Sequence, residues 1–206
     1  MLDLGPAARR MADLVCEVGD QQLGSPTPCP DYRLGDLIDH VGGLALAFAA
    51  AATKEAVATE GQGPSGDASR LGNGWRQRIS ADLERLATAW DDPSAWTGTT
   101  QAGGLDMPGE VAGVVALDEL VIHGWDVARA SGQPYVVDDA SLAVVAGFVA
   151  QFSGPGHEAE REGLFGPRGD GARRRPAARS CARHGRARPP LEGLTGVRPW
   201  RCRRTR

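Results

Sequence analysis

The sequence is poor in the features that staple a small protein together or hold it in a membrane. Four cysteines, Cys16, Cys29, Cys181 and Cys202, are scattered over 206 residues. They form no C-x-x-C pair and no regular framework, which excludes a zinc ribbon and a disulfide scaffold. No uninterrupted apolar run reaches membrane-spanning length. The first residues, MLDLGPAARRMADL, read as an amphipathic helix and lack the apolar core and cleavage site of a signal peptide. A cytoplasmic protein without a membrane contact is the expectation. Internal repeats are absent, and so are strong strand patterns, which leaves an all-α domain.

Charge is present but unevenly placed. The net charge of −3 conceals a break at Gly166-Pro167. Residues 1–166 carry 10 Lys/Arg against 24 Asp/Glu, whereas residues 167–206 carry 13 Arg against only Asp170 and Glu192. Such a break separates an acidic domain, 1–166, from a basic tail, 167–206.

Apolar periodicity predicts five helices in the acidic part. The first runs from about Pro6 to Gln22, with Met11, Leu14, Val15 and Val18 on its inner face. The connector GSPTPCPDY is too rich in proline for helix. A second helix starts near Leu34 and extends to about Ala56, its stripe formed by Leu34, Leu37, Ile38, Val41, Ala45 and Phe48. His40 stands on the margin of that stripe and can reach inward. Gly61–Gly66 reads as a flexible crossing, and a third helix covers about Ser69 to Trp90. Asp91–Met107 is irregular, with room for a short hairpin at Gly103-Gly104 and with Trp96 as a cover for the core. Pro108 and Glu110 open a fourth helix that ends near Ser131-Gly132. Asp138 or Asp139 caps a fifth, whose face is Leu142, Val145, Phe148, Val149 and Phe152. The economical architecture is a four-helix bundle with one added helix.

The fourth helix holds the chemistry. Counted at about 100° per residue from Val114, Glu119 falls near 140°, His123 near 180° and Asp126 near 120°. These form one narrow polar stripe among Val115, Leu120, Ile122 and Val127. A buried carboxylate or imidazole needs a partner, and an uncompensated carboxylate costs on the order of several kcal/mol. The i,i+4 spacing aims Glu119 and His123 at one spot, which a divalent cation would fill. His40, Glu119 and His123 make a set of two imidazoles and one carboxylate. That set suits zinc first, and also iron(II) or nickel, with positions left for water or substrate. Asp126 either orients a ligand imidazole, serves as a proton carrier, or pairs with an Arg. Cys29, in a proline-rich connector without an evident base, reads as a small packed residue. Trp125 reads as core or pocket wall.

The stretches PTPCPDYRLGDLIDHVGG and GLDMPGEVAGVVALDELVIHGWDVARASGQP resemble the DinB-like metal-binding superfamily. More narrowly they resemble its branch related to mycothiol-dependent maleylpyruvate isomerase. The resemblance spans the first helix to about Pro167. It implies a four-helix bundle with a long crossover and an additional C-terminal helix, holding one divalent metal on His40, Glu119 and His123. For the thiol-using relatives it implies a low-molecular-weight thiol such as mycothiol, deprotonated at the metal and added to a small electrophile. Activation of a bound water is the rival chemistry.

Beyond Pro167 the resemblance fails, and GPRGDGARRRPAARSCARHGRARPP reads as disordered. A basic arm for nucleic acid is one reading, ranked last. The preferred reading is a reading-frame change, because codons can be chosen for Pro176–Gly185 that spell PPLDRALATG one base out of frame. Two functions are carried forward. One is a metal-dependent, thiol-using transferase or isomerase acting on a small molecule, with Asp126 as a candidate catalytic residue. The other is a non-enzymatic metal-binding or ligand-sensing bundle, compatible with a homodimer.

Overall fold

A computed structural model describes residues 1–29, 31–55 and 64–151. By internal contacts the chain divides after Phe148, into a unit containing Met1–Phe148 and a second spanning Val149–Arg201. The expected boundary at Gly166-Pro167, the basic tail with its frame change, and Phe152 all lie outside the described residues.

The order of elements is α1 (Gly5–Glu17), α2 (Leu34–Thr53), α3 (Trp75–Trp90), β1 (Thr99–Ala102), β2 (Leu105–Pro108), α4 (Gly109–Ser131) and α5 (Asp139–Gln151). The first four helices make the DinB-like all-α bundle. Both α1 and α2 pack on α3 and on α4. α1 therefore sits diagonally across from α2, and α3 from α4, so the connections between α1 and α2 and between α3 and α4 cross the bundle, whereas α2 and α3 are adjacent.

Three boundaries differ from the periodic pattern. The first helix stops at Glu17 because Val18 turns extended, and a separate 3-10 turn follows at Asp20–Gln22. The second stops at Thr53, where Lys54 adopts a left-handed conformation. The third begins only at Trp75, since Gly72 and Gly74 hold φ of 63° and 72°, which a helix cannot continue through. The hairpin forms where expected, with Thr99 paired to Pro108 and Ala102 to Leu105 around Gly103-Gly104.

The core positions of α2, Leu34, Leu37, Ile38, Val41, Ala45 and Phe48, are buried as the spacing requires. Although interrupted by Asp36, Asp39 and His40, α2 is long and apolar enough by length and composition to cross a membrane, with a mean hydropathy of 1.4. More than half of that window is buried inside the fold, as befits a bundle's core helix. On α4 the burial is continuous from Val115 to Gly124, so it is a central helix and not a one-faced one. Its N-terminal half is held by Trp96, whose ring packs edge-on to Trp90 at 5.0 Å and whose Nε1 donates to the Trp90 carbonyl. After Gly132 the chain returns along α4, and the Tyr135 hydroxyl donates to the Val121 carbonyl at 2.8 Å.

Candidate metal centre

Two helices deliver the candidate ligands, His40 from α2 and Glu119 and His123 from α4. All three side chains are buried, with 8%, 6% and 0% exposure. Each offers one ligand atom, and these atoms lie within 4.8 Å of one another. The His40 and His123 rings meet edge to face at 5.1 Å.

Hydrogen bonds turn each imidazole. His40 Nδ1 lies 2.6 Å from the Pro64 carbonyl. A carbonyl only accepts, so Nδ1 carries the proton and Nε2 keeps its lone pair for the site. His123 Nδ1 lies 3.2 Å from Asp126 Oδ2, which fixes the same tautomer on the second ring. Asp126 is wholly buried, and its partner among the described residues is this imidazole and not an Arg.

The remaining atoms satisfy one another only in part. His123 Nε2 and Glu119 Oε2 are 2.9 Å apart, an ion-pair separation. Yet they do not align as a hydrogen bond, and among the described residues both count as buried atoms without a hydrogen-bond partner. Two buried ligand atoms that converge at ion-pair distance without hydrogen-bond alignment are placed to share a cation once the His123 proton is displaced. Charge supports the same fit. With both imidazoles neutral, the Glu119 and Asp126 carboxylates together balance one divalent ion.

Protonation equilibria follow from the burial. Desolvation holds His40 below the usual imidazole range, to about 4, and the neighbouring His123 acts in the same direction. That ring is therefore neutral and available as a ligand at neutral pH. Burial alone would depress His123 too, but the Asp126 and Glu119 carboxylates outweigh it and raise the ring to about 10. A metal must displace that proton.

One acid in the cluster escapes a helical-wheel reading. Asp118 is 2% exposed, and its Oδ1 lacks a hydrogen-bond partner among the described residues. Burial, reinforced by the Glu119 charge, pushes its carboxyl up to about 8. The wheel gives no reason to expect it inside, because α4 is enclosed on every side. The Pro64 carbonyl is equally invisible in the sequence, since a backbone acceptor has no residue signature. Cys29 is buried as expected, and Cys16 is exposed. Beside Glu119 lies a small apolar recess walled by Met11, Val41, Leu44, Phe48, Leu86 and Leu120, and Glu119 is the one charged residue among the described residues that line it.

A helical bundle that gathers two histidines and a glutamate at its centre defines a class, and sequence comparison gives the family. The chain belongs to the family of the mycothiol maleylpyruvate isomerase N-terminal domain, whose model matches residues 4–128. That span includes His40, Glu119, His123 and Asp126. Two uncharacterised proteins of Mycobacterium tuberculosis, from strains CDC 1551 / Oshkosh and ATCC 25618 / H37Rv, are each 30% identical to it over 152 residues. The aligned region covers 70% of this chain and 77% of theirs. No solved structure matches the chain significantly.

Proposed function

We propose that this protein binds a divalent metal, zinc by preference, through His40, Glu119 and His123. On this reading it uses the centre as a cytoplasmic transferase or isomerase that joins a small thiol of the mycothiol type to a small electrophile. The observation that carries the reading is the convergence of His123 Nε2 and Glu119 Oε2, buried, 2.9 Å apart and not hydrogen-bonded to each other. When bound, the metal supplies Lewis acidity that lowers the proton affinity of a thiol at an open coordination position. The chain's own residues prepare that position. Pro64 and Asp126 fix the tautomers and orientations of His40 and His123. Asp126, fully buried on the far nitrogen of His123, acts by positioning and not by carrying protons to substrate. Apolar side chains wall the small recess beside Glu119.

A second reading rests on the low exposure of the ligands, at most 8%. Sites closed to that extent also serve as structural or sensing centres. The two readings separate in a cobalt-substituted sample titrated with small thiols, followed by a thiol-conjugation screen. A sulfur-to-cobalt charge-transfer band and conjugate formation support the enzyme. A spectrum indifferent to every cellular thiol supports the sensing bundle.

A further inference from the structure

The segment that supplies the Pro64 carbonyl has neither helical nor strand hydrogen bonds of its own from Pro64 to Gly66, before Asp67 caps a short 3-10 turn. Its position is set by side chains of α2 and of the connector before it. The Gly66 amide donates to the Tyr32 hydroxyl at 2.9 Å. The Asp67 amide donates to Asp39 Oδ2 at 3.0 Å, and the Ala68 amide to Asp36 Oδ1 at 3.0 Å. Arg70 closes the loop, its Nε and Nη2 donating to Asp39 Oδ2 at 2.9 and 2.6 Å, while Nη2 also donates to the Ser65 carbonyl. The fit is tight, because a Cβ on Gly66 would stand 2.1 Å from the Asp36 carbonyl oxygen. Asp39 is the chain neighbour of His40, and the Tyr32 ring lies 5.4 Å from the His40 ring.

We propose that Tyr32, Asp39 and Arg70 are positioning residues for the metal centre: they pin residues 64–70 onto α2, so that the Pro64 carbonyl holds His40 with Nε2 turned into the site. This rests on reading His40, Glu119 and His123 as a metal centre. The clamp controls metal affinity more than it controls folding. Arg70 is half exposed, and an ion pair in that setting adds little to stability. Loss of the partner that orients a ligating imidazole, by contrast, typically weakens metal binding 10- to 100-fold.

The test compares zinc dissociation constants of the full chain, by competition with a chromophoric chelator, in the wild type, Arg70→Met, Arg70→Lys and Tyr32→Phe. Melting of each metal-free form is followed alongside. Arg70→Met is expected to weaken zinc binding roughly tenfold with little change in metal-free melting, Tyr32→Phe to weaken it less, and Arg70→Lys to fall between wild type and Arg70→Met. In the zinc-loaded wild type the His40 Nδ1 proton should be protected from exchange, and the protection should be lost in Arg70→Met. Unchanged zinc affinity and an unchanged His40 proton in both Arg70→Met and Tyr32→Phe would overturn the clamp while leaving the metal centre intact. A wild type that binds no zinc would overturn the metal centre itself. Should Arg70→Met fail to fold, an unweakened Tyr32→Phe with a protected His40 proton is sufficient to reject the proposal.

Discussion

His123 Nε2 faces Glu119 Oε2 at 2.9 Å while its other nitrogen, 3.2 Å from Asp126, is already committed. One imidazole thus stands between two buried carboxylates, and both raise its affinity for a proton. A metal arriving at Nε2 competes with that proton. With the ring raised to about 10, binding at neutral pH should release about one proton from His123. Apparent affinity should climb roughly tenfold per pH unit from neutrality and level off near the raised value. Calorimetry in two buffers of different ionisation enthalpy reads the released proton directly. Metal-free stability should move the other way. Folded His123 and folded Asp118, the latter raised to about 8, hold protons that the unfolded chain gives up near 6.5 and 3.8. Above pH 6.5 the folded state therefore binds more protons than the unfolded one, and stability falls as pH rises. Denaturation midpoints of metal-free protein at pH 6.5 and pH 9 check the sign.

Asp126 should behave as a positioning residue. Asp126→Asn keeps an acceptor for His123 Nδ1–H but removes the charge that stabilises the protonated ring. Its metal binding should lose part of its pH dependence, and at high pH it should weaken roughly 10- to 100-fold. Asp126→Ala strands a buried N–H and should cost more. Metal titrations of both variants across pH separate these effects, and a pH profile identical to wild type would deny Asp126 any role on His123.

Gly124 sets how closely the returning chain packs against α4. A Cβ there would lie 2.5 Å from the Tyr135 hydroxyl, which holds the Val121 carbonyl. Gly124→Ala should destabilise the protein by about 1–3 kcal/mol through overpacking. The strain falls one residue from His123, so metal affinity should drop as well. Urea denaturation with and without metal checks both, and an unshifted midpoint would mean that Tyr135 moves aside freely.

The polar stripe of α4 is legible in the sequence because Glu119 and His123, one turn apart on an apolar helix, would be stranded in the core without a shared partner. The hairpin at Gly103-Gly104 is legible because paired glycines mark a tight turn. The start of α3 lies later than expected, because the left-handed Gly72 and Gly74 hold the helix off until Trp75. Asp118 escapes because a wheel divides a helix into inner and outer faces, whereas α4 is buried all round between Val115 and Gly124. What turns His40 is hidden for a different reason. Its partner is a main-chain carbonyl from a segment 24 residues away, placed by Asp39, Arg70 and Tyr32.

The most direct measurement is the metal content of protein purified without added metal, beside the variant in which His40, Glu119 and His123 are all alanine. The wild type should carry one divalent ion per chain. Removing that ion should lower stability by roughly 4 kcal/mol when free metal stands near a thousand times the dissociation constant. The triple variant should carry none and show no stability change on chelation. Full metal occupancy in the triple variant, or a wild type that neither holds nor gains stability from any divalent ion offered, would contradict the assignment of the centre.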